Sequence, residues 1–415
     1  MKRTFYLEKE KCMGCTNCMR KCPTEAIRIV EGKAKIDDDK CINCGECIRV
    51  CPYNAYTAIS DNIEDLKKFK YNIAIPSTTV YGQFSLGTKI CKIHNALIGL
   101  GFDYIYDESW AAELVTKAIK DKVLEDKSVK PKISSNCPAI VRLIRIKYKS
   151  LLENIIELEA PMEIAAKLSL EKVLRSNKDL KKKDIGIFYI SPCPAKILSV
   201  KEPMDKKDSY INRVISLKEI YGDMIRELKM HNELCFSNPS LTGLKWAISG
   251  GQTEACDFEN SISVSGLENV IDILEEIELG KLDHIDFIEA LSCNGGCVGG
   301  TYNFENPFVA NSNIKHILKK TDKGLILNKD IDKYNQFKSK GFFDSKIIDK
   351  HEKVGKPNIK EAVKMIDEIE KFYEKLPKLD CGSCGAPTCR ALAEDIANGL
   401  DTIDSCVILK LEENK

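Results

Sequence analysis

The sequence predicts an α/β protein: a central domain with largely parallel sheets over residues 65–345, preceded by a small α+β domain over residues 1–60 and followed by a small helical domain over residues 346–415. Three observations carry the prediction. In the centre, apolar β-type runs alternate with helical patterns, as parallel strands joined by crossover helices require. At the front, eight cysteines fall in two sets that repeat after 29 residues, and at the back a charged amphipathic helix runs into four more.

Length and charge bound the possibilities. At 415 residues the chain can bury a large core, and Lys+Arg 63 against Asp+Glu 62 leaves a net charge of +1, so neither nucleic acid nor a membrane is an expected partner. No secretory leader pattern opens the sequence, and the longest uncharged run, Tyr71 to Thr88, is interrupted by Pro76, Gly82 and Gly87. A cytoplasmic protein is expected. Nineteen cysteines grouped by short spacings then point to metal rather than to disulfides.

In residues 1–60, Cys12, Cys15, Cys18 and Cys22 precede Pro23, and Cys41, Cys44, Cys47 and Cys51 precede Pro52. Each set has the C-x2-C-x2-C-x3-C-P spacing of bacterial two-cluster ferredoxins, in which the fourth cysteine serves the other cluster. The resemblance implies one 4Fe-4S cluster on Cys12, Cys15, Cys18 and Cys51, and a second on Cys41, Cys44, Cys47 and Cys22. Zinc or disulfides have little to support them here, because eight cysteines match in register. Short strands are expected at the start of the chain and over Lys33 to Asp37, with helices after Cys18 and Cys47. Asp61 to Lys70 reads as a helical linker.

In the centre, strands are expected over Tyr71–Ile75, Tyr104–Tyr106, Lys132–Ser134, Ile185–Ile190 and Asp286–Leu291, and helices over Ala139–Leu152, Leu217–Lys229 and Leu267–Leu279, the last stopped by Gly280. Open α/β sheets bind ligands at the carboxyl ends of their strands. Cys137 follows one strand and opens a helix with Pro138 at its first position; Cys193 follows another strand, and Cys293 a third. Three cysteines thus fall where they can converge. Cys297 lies four residues past Cys293 among glycines that permit close backbone approach to a metal centre. Taken alone, that pair reads equally well as two inert thiols in a turn.

Ser134-Ser-Asn-Cys137-Pro-Ala, Ser191-Pro-Cys193-Pro-Ala-Lys196 and Glu289-Ala-Leu-Ser-Cys293-Asn-Gly-Gly-Cys297 together resemble the three cysteine motifs of the iron-only (FeFe) hydrogenases. Ile75-Pro76-Ser77 and Ser249-Gly250-Gly251-Gln-Thr-Glu254 resemble two further landmarks of that family. The resemblance implies a two-lobed domain holding an H-cluster, a 4Fe-4S cubane bridged to a di-iron subsite with carbon monoxide, cyanide and dithiolate ligands. Cys137, Cys193 and Cys293 would ligate the cubane, and Cys297 would bridge it to the di-iron unit. Lys196 would donate to an iron-bound cyanide, and Pro76 and Ser77 would line the pocket of the second cyanide.

Several positions depart from the family pattern. Asn136 stands where hydrogen-producing members carry a proton-shuttling cysteine, and Ala118 and Ile156 fall where their relay has a glutamate and a serine. Ser191 and Leu291 replace methionines often packed near the subsite. An amide has no titratable proton near neutral pH and an alkyl side chain makes no hydrogen bond, so slow proton delivery is expected. With Gly299-Gly300-Thr-Tyr-Asn-Phe following the third motif, the combination resembles the divergent, sensory-type branch of the family.

At the back, a helix over Ala362–Leu376 leads into Cys381, Cys384 and Cys389, and a second over Arg390–Leu400 returns the chain toward Cys406. The spacing resembles a small helical 4Fe-4S domain, with structural zinc as the alternative. Residues 320–357 read as a solvated connection. Cys91, Cys235 and Cys256 remain as expected free buried thiols, and His94, His231, His284, His316 and His351 show no ligand spacing. The implied cofactors are three 4Fe-4S clusters plus the H-cluster. The implied activity is interconversion of H2 with protons and electrons, exchanged with a ferredoxin or other redox protein, after loading by hydrogenase maturation proteins. Two other readings stay open: a hydrogen or redox sensor acting on a signalling partner, and a cubane-only electron-transfer protein.

Overall fold

The computed structural model describes residues 3–204, 208–230, 238–320, 329–346 and 359–413. The chain divides into two compact units, one gathering Lys2–Cys41, Gly45–Ala58 and Asp349–Lys415, the other Ile42–Cys44 and Ile59–Ile348.

In the smaller unit β1 (Phe5–Leu7) pairs antiparallel with β4 (Tyr56–Ala58), and β2 (Ile27–Val30) forms a hairpin with β3 (Lys33–Ile36). Each cysteine set runs into a short helix, Asn17–Arg20 or Glu46–Arg49. The duplication is written in the backbone as well as in the sequence. Gly14, Thr16 and Glu25 take φ of +63°, +67° and +51°, and their counterparts Asn43, Gly45 and Asn54 take +55°, +83° and +48°. Left-handed residues are rare outside glycine, so three matched pairs mean that both loops follow one path. The sulfurs are treated alike too: Ala26 N donates to Cys22 Sγ at 3.3 Å, and Ala55 N to Cys51 Sγ at 3.4 Å. The C-terminal part is helical, with Ile359–Lys375 packed on Cys389–Ala397 through Phe372, Tyr373 and Leu392.

The larger unit contains β5 (Tyr71–Pro76), β6 (Tyr104–Ile105), β7 (Lys132–Ile133), β8 (Ile185–Ser191), β9 (Arg213–Ser216), β10 (Ser261–Ser265) and β11 (Phe287–Leu291). They form two sheets, β6-β5-β8-β9 and β10-β11-β7, in which every pairing is parallel. Each sheet carries its own core. Ala74, Phe188, Ile190 and Ile215 pack with helix residues Ile93, Leu97 and Ile220 in the first; Ile133, Ile288, Ala290 and Val264 pack with Ile140, Ile144 and Leu274 in the second. Parallel strands covered on both faces are buried along their length, as β8 is from Ile185 to Ser191.

Several expectations need correction. β9 and β10 are short edge strands rich in serine or arginine and give no apolar run to read. The helix expected to continue to Leu152 ends at Lys147 and is followed by a tighter turn, Lys149–Asn154, and the 61–70 linker is helical only as the 3-10 turn Ile63–Lys68. The described part of the 320–357 connection is more than solvated chain: Tyr334, Phe337 and Phe343 are buried, and Tyr334 donates to Asp121 at 2.8 Å. Cys91 is disulfide-bonded and not the expected free thiol, because a sequence spacing gives no hint of such a pairing. Cys256 is a free buried thiol; Cys235, His231 and His351 lie outside the described residues. Among the described residues no helix is long and apolar enough to cross a membrane.

Candidate cluster-binding site

Three strand ends supply the cysteines. Cys137 lies beyond β7 and Cys193 beyond β8, and each is the residue capping a helix that starts with a proline, Pro138 or Pro194. Proline suits that position because the first helical N–H has no partner to lose. Cys293 lies beyond β11 and Cys297 opens a short 3-10 turn. Cys137, Cys193, Cys293 and Cys297 line one small cavity together with Asn136, Lys196 and Gly300. Cys44 lines it as well, on the Ile42–Cys44 segment, where Ile42 is buried in the core that holds Ile133 and Ile288. Glycine is needed around Cys297: Gly296 has φ +97° and a Cβ there would lie 2.4 Å from Ser249 N, while one on Gly300 would lie 2.6 Å from Pro192 O.

The cavity holds a buried cation. Lys196 is 5% exposed, and its ammonium donates to Tyr189 Oη at 3.0 Å and to Glu108 Oε1 at 3.4 Å. Burial by itself would push that ammonium down, but Glu108, Tyr189 and Cys297 carry it well above its ordinary value. Glu108 is held in turn, accepting from Tyr189 Oη at 3.1 Å and from Thr78 N at 3.1 Å. A lone buried charge costs several kcal/mol, and a paired and hydrogen-bonded one far less. Lys196 is therefore charged and fixed in direction.

The thiols sit in the opposite situation. Burial, helped by Cys293, pushes Cys193 up to about 12, and burial raises Cys297 well above the thiol range against the pull of Lys196. Free thiolates at Cys193 and Cys297 would be unfavourable here. A bound iron-sulfur core removes that penalty, displacing protons as it binds, and soft sulfur is the donor set that iron clusters take. Asn136 Oδ1 is buried with no hydrogen-bond partner among the described residues, an acceptor at the wall that a bound group can satisfy. The residues present fit a cluster of this kind. Among the described residues no three His, Cys, Asp or Glu stand close enough to share a single ion; cluster ligands need not, since each thiolate takes a different iron.

Glu289 anchors the loop beyond β11. Its carboxylate, fully buried, accepts from Gly250 N at 3.2 Å, Gln252 N at 3.0 Å and Thr253 N at 3.1 Å. The Gly250–Glu254 landmark thus turns its amides onto the third cysteine motif, while Glu254 itself pairs with Lys245 at the surface. Burial raises Glu289 to about 7 against the pull of those amides.

Pro76 and Ser77, at the end of β5, do not line this cavity; Ser77 Oγ instead accepts from Thr79 N at 3.5 Å and from Thr79 Oγ1 at 3.2 Å. Ala118 and Ile156 are both 4% exposed and apolar. Ser191 caps the Cys193 loop, accepting from Cys193 N at 3.3 Å and donating to Cys193 O at 3.0 Å. Glu108 and Tyr189 went unnoticed in the sequence. Tyr189 had one available signal, since it shares a strand with the approach to Cys193. Glu108, 88 residues from Lys196 in sequence, had none.

In the smaller unit, burial raises the Cys18 thiol with Cys12 and Cys15 as neighbours, and Cys47 lies near Tyr56. Cys384 lies near Cys381 and Cys406, and Cys389 N donates to Asp380 Oδ1 at 2.6 Å.

Glu108→Ala leaves the Lys196 ammonium buried and unpaired and is expected to cost roughly 3–5 kcal/mol in chemical denaturation, with Glu108→Gln retaining part of the loss. Glu289 gives a pH-dependent outcome. Its carboxyl is raised from 4.5 to about 7 on folding, so the native state holds the proton more tightly and this group's contribution falls as pH rises from about 4.5 through about 7. Denaturation midpoints measured across that window should show a downward slope that Glu289→Gln removes.

Comparison with known proteins agrees with this arrangement. The family profile described as iron only hydrogenase large subunit, C-terminal domain, matches residues 70–257 and 245–301, more than half of the chain. A 4Fe-4S dicluster domain profile matches residues 4–52, and an Fe-S cluster profile residues 376–408. Iron hydrogenase 1 of Clostridium pasteurianum is 25% identical over 257 residues, which are 50% of this chain and 44% of that protein. The corrinoid/iron-sulfur protein large subunit of Moorella thermoacetica is 51% identical over 35 residues, 8% of each chain. The chain therefore spans less than half the length of either relative. A solved structure of the FeFe-hydrogenase HydA1 from Chlamydomonas reinhardtii aligns with a TM-score of 0.52 at 14% identity, covering 69% of this chain and 97% of that one, and so shares its fold. The strand-end cysteines, the two parallel sheets and the extent of the profile match agree: the chain belongs to the iron-only hydrogenase family.

Proposed function

We propose that this protein is a hydrogenase-type oxidoreductase of the divergent kind, interconverting H2 with protons and electrons at low turnover. The observation that carries the reading is the gathering of Cys137, Cys193, Cys293 and Cys297 around one cavity beside the compensated cation of Lys196. In this reading the first three hold a 4Fe-4S cubane and Cys297 bridges it to a di-iron unit bearing carbon monoxide, cyanide and dithiolate ligands. That group, when bound, supplies the hydrogen chemistry.

The chain's own residues position, shield and supply. Lys196 offers a charge-assisted donor of fixed direction, suited to an anionic ligand. Pro76 and Ser77 stand at the end of β5, outside the lining of this cavity. Asn136 can donate and accept but has no proton to exchange, and Ala118 and Ile156 add none, so proton delivery limits the rate. Cys12, Cys15, Cys18 and Cys51 hold one 4Fe-4S cluster, Cys41, Cys44, Cys47 and Cys22 a second, and Cys381, Cys384, Cys389 and Cys406 a third. These relay electrons to a ferredoxin or another redox protein. The same Asn136 observation favours a second reading, a hydrogen or redox sensor whose output is binding to another protein.

Anaerobically matured protein is expected to reduce a viologen dye under hydrogen, and Cys297→Ser to abolish this while retaining cubane iron. Absence of hydrogen-dependent reduction in fully loaded protein refutes the enzymatic reading. The triple variant Asn136→Cys, Ala118→Glu, Ile156→Ser is expected to raise turnover on the order of 10–100-fold; an unchanged rate puts the bottleneck elsewhere. Hydrogen-dependent binding of a partner that Cys381→Ser abolishes selects the sensor.

A further inference from the structure

We infer that the C-terminal cysteine cluster exchanges electrons directly with the first ferredoxin-type cluster, that of Cys12, Cys15, Cys18 and Cys51, across a built contact inside the smaller unit. The inference rests on the cluster assignments proposed above. It names which cluster the C-terminal one serves.

The contact is made by the ligand-bearing loop itself. Ile29 N donates to Gly385 O at 2.8 Å, so the residue after Cys384 pairs with the edge of β2. Gly385 has φ +88°, and a Cβ there would lie 2.2 Å from Ile29 O, so only glycine allows this approach. Ile29 is in register with Ala34 on β3, and Ala34 N points at Cys12 Sγ at 3.5 Å. The Gly385 carbonyl, one strand pair and one N–H···S contact therefore connect the C-terminal loop to a ligand of the first cluster.

A second line of contact starts at Cys18. Arg20, two residues on, donates from Nη2 to Cys381 O at 2.7 Å, and a Cβ on Gly382 would lie 3.1 Å from Met19 Cε. Arg28 clamps the helix that follows, with Nε and Nη2 donating to the two oxygens of Asp395 at 2.5 and 3.1 Å. Those side chains are only 18% and 15% exposed, a bidentate pair of the stronger kind. Docking alone needs only that clamp. It does not need both Cys381 and the neighbour of Cys384 to face residues beside Cys18 and Cys12.

In the exchange one electron leaves the reduced C-terminal cluster and enters the oxidised first cluster, or the reverse. One iron centre is oxidised as the other is reduced, and no bond or proton moves. The electron is supplied or removed at the C-terminal cluster by an external redox protein.

Full-length protein, reconstituted anaerobically with iron and sulfide and reduced with dithionite, is measured by low-temperature EPR with iron counted in the same samples. The two ferredoxin-type clusters couple to each other in any case, so the expected result is broadening and fast relaxation beyond that of Cys384→Ser, which should lose one cubane's worth of iron and that added broadening together. Gly385→Val should lose the added broadening at unchanged iron. Arg28→Glu should weaken it and the exchange Arg28→Glu/Asp395→Arg restore it, a comparison that still decides if Gly385→Val does not fold. A wild-type spectrum equal to that of Cys384→Ser plus one isolated cluster, at full iron, overturns the wiring and leaves the cluster assignments standing. Unchanged iron in Cys384→Ser overturns the C-terminal assignment, and the wiring with it.

Discussion

The ammonium of Lys196 is buried beside four cysteine sulfurs, and much of the larger unit is arranged by the need to hold that charge. Glu108 compensates it from the first turn of the helix Glu108–Glu125, and Tyr189 from the middle of β8. Both partners are themselves fixed, Glu108 by Thr78 N and Tyr189 by the strand. The two parallel sheets supply the remaining constraint, because their carboxyl ends deliver Cys137, Cys193 and Cys293 to one place. A fixed positive charge and the thiols of Cys193 and Cys297, which resist ionisation, make a cavity better suited to a bound metal core than to its own side chains.

The fold class was legible because apolar runs such as Ile185–Ile190 and Asp286–Leu291 are buried on both faces. β9 and β10 were not, since Arg213–Ser216 at one sheet edge offers only two consecutive apolar residues and Ser261–Ser265 at another alternates serine with Ile262 and Val264. The helix Glu108–Glu125 was hidden for a different reason: polar Glu108, Ser109 and Thr116 are buried along with Trp110, Ala111, Leu114, Val115, Ala118 and Ile119, so the buried surface is wider and more polar than an apolar stripe would show. At the site, the residues with a motif, Cys137 through Cys297 and Lys196, were legible, whereas Glu108 depends on a contact that no local pattern encodes. The matched left-handed residues of the ferredoxin-like repeat lie between these cases. Gly14 and Gly45 suggest such turns, but Thr16, Glu25 and Asn43 reveal them only through the duplication.

Asn136, Ala118 and Ile156, where the resemblance leads one to expect a proton relay, offer no exchangeable proton, while the loops that carry the cysteines are well supported. Glu289 gathers three amides, Ser191 closes the Cys193 loop, and glycine stands at positions 296 and 300, where a side chain would collide. This division separates holding a cluster from feeding it protons. It is why a slow enzyme and a sensor are both chemically coherent uses of one site.

Infrared spectroscopy of protein matured anaerobically with the di-iron unit tests the central claim most directly. The account predicts bands from iron-bound carbon monoxide and cyanide, with a cyanide band that moves when Lys196 is replaced by alanine. Protein that takes up its full complement of iron yet shows no such bands would contradict it.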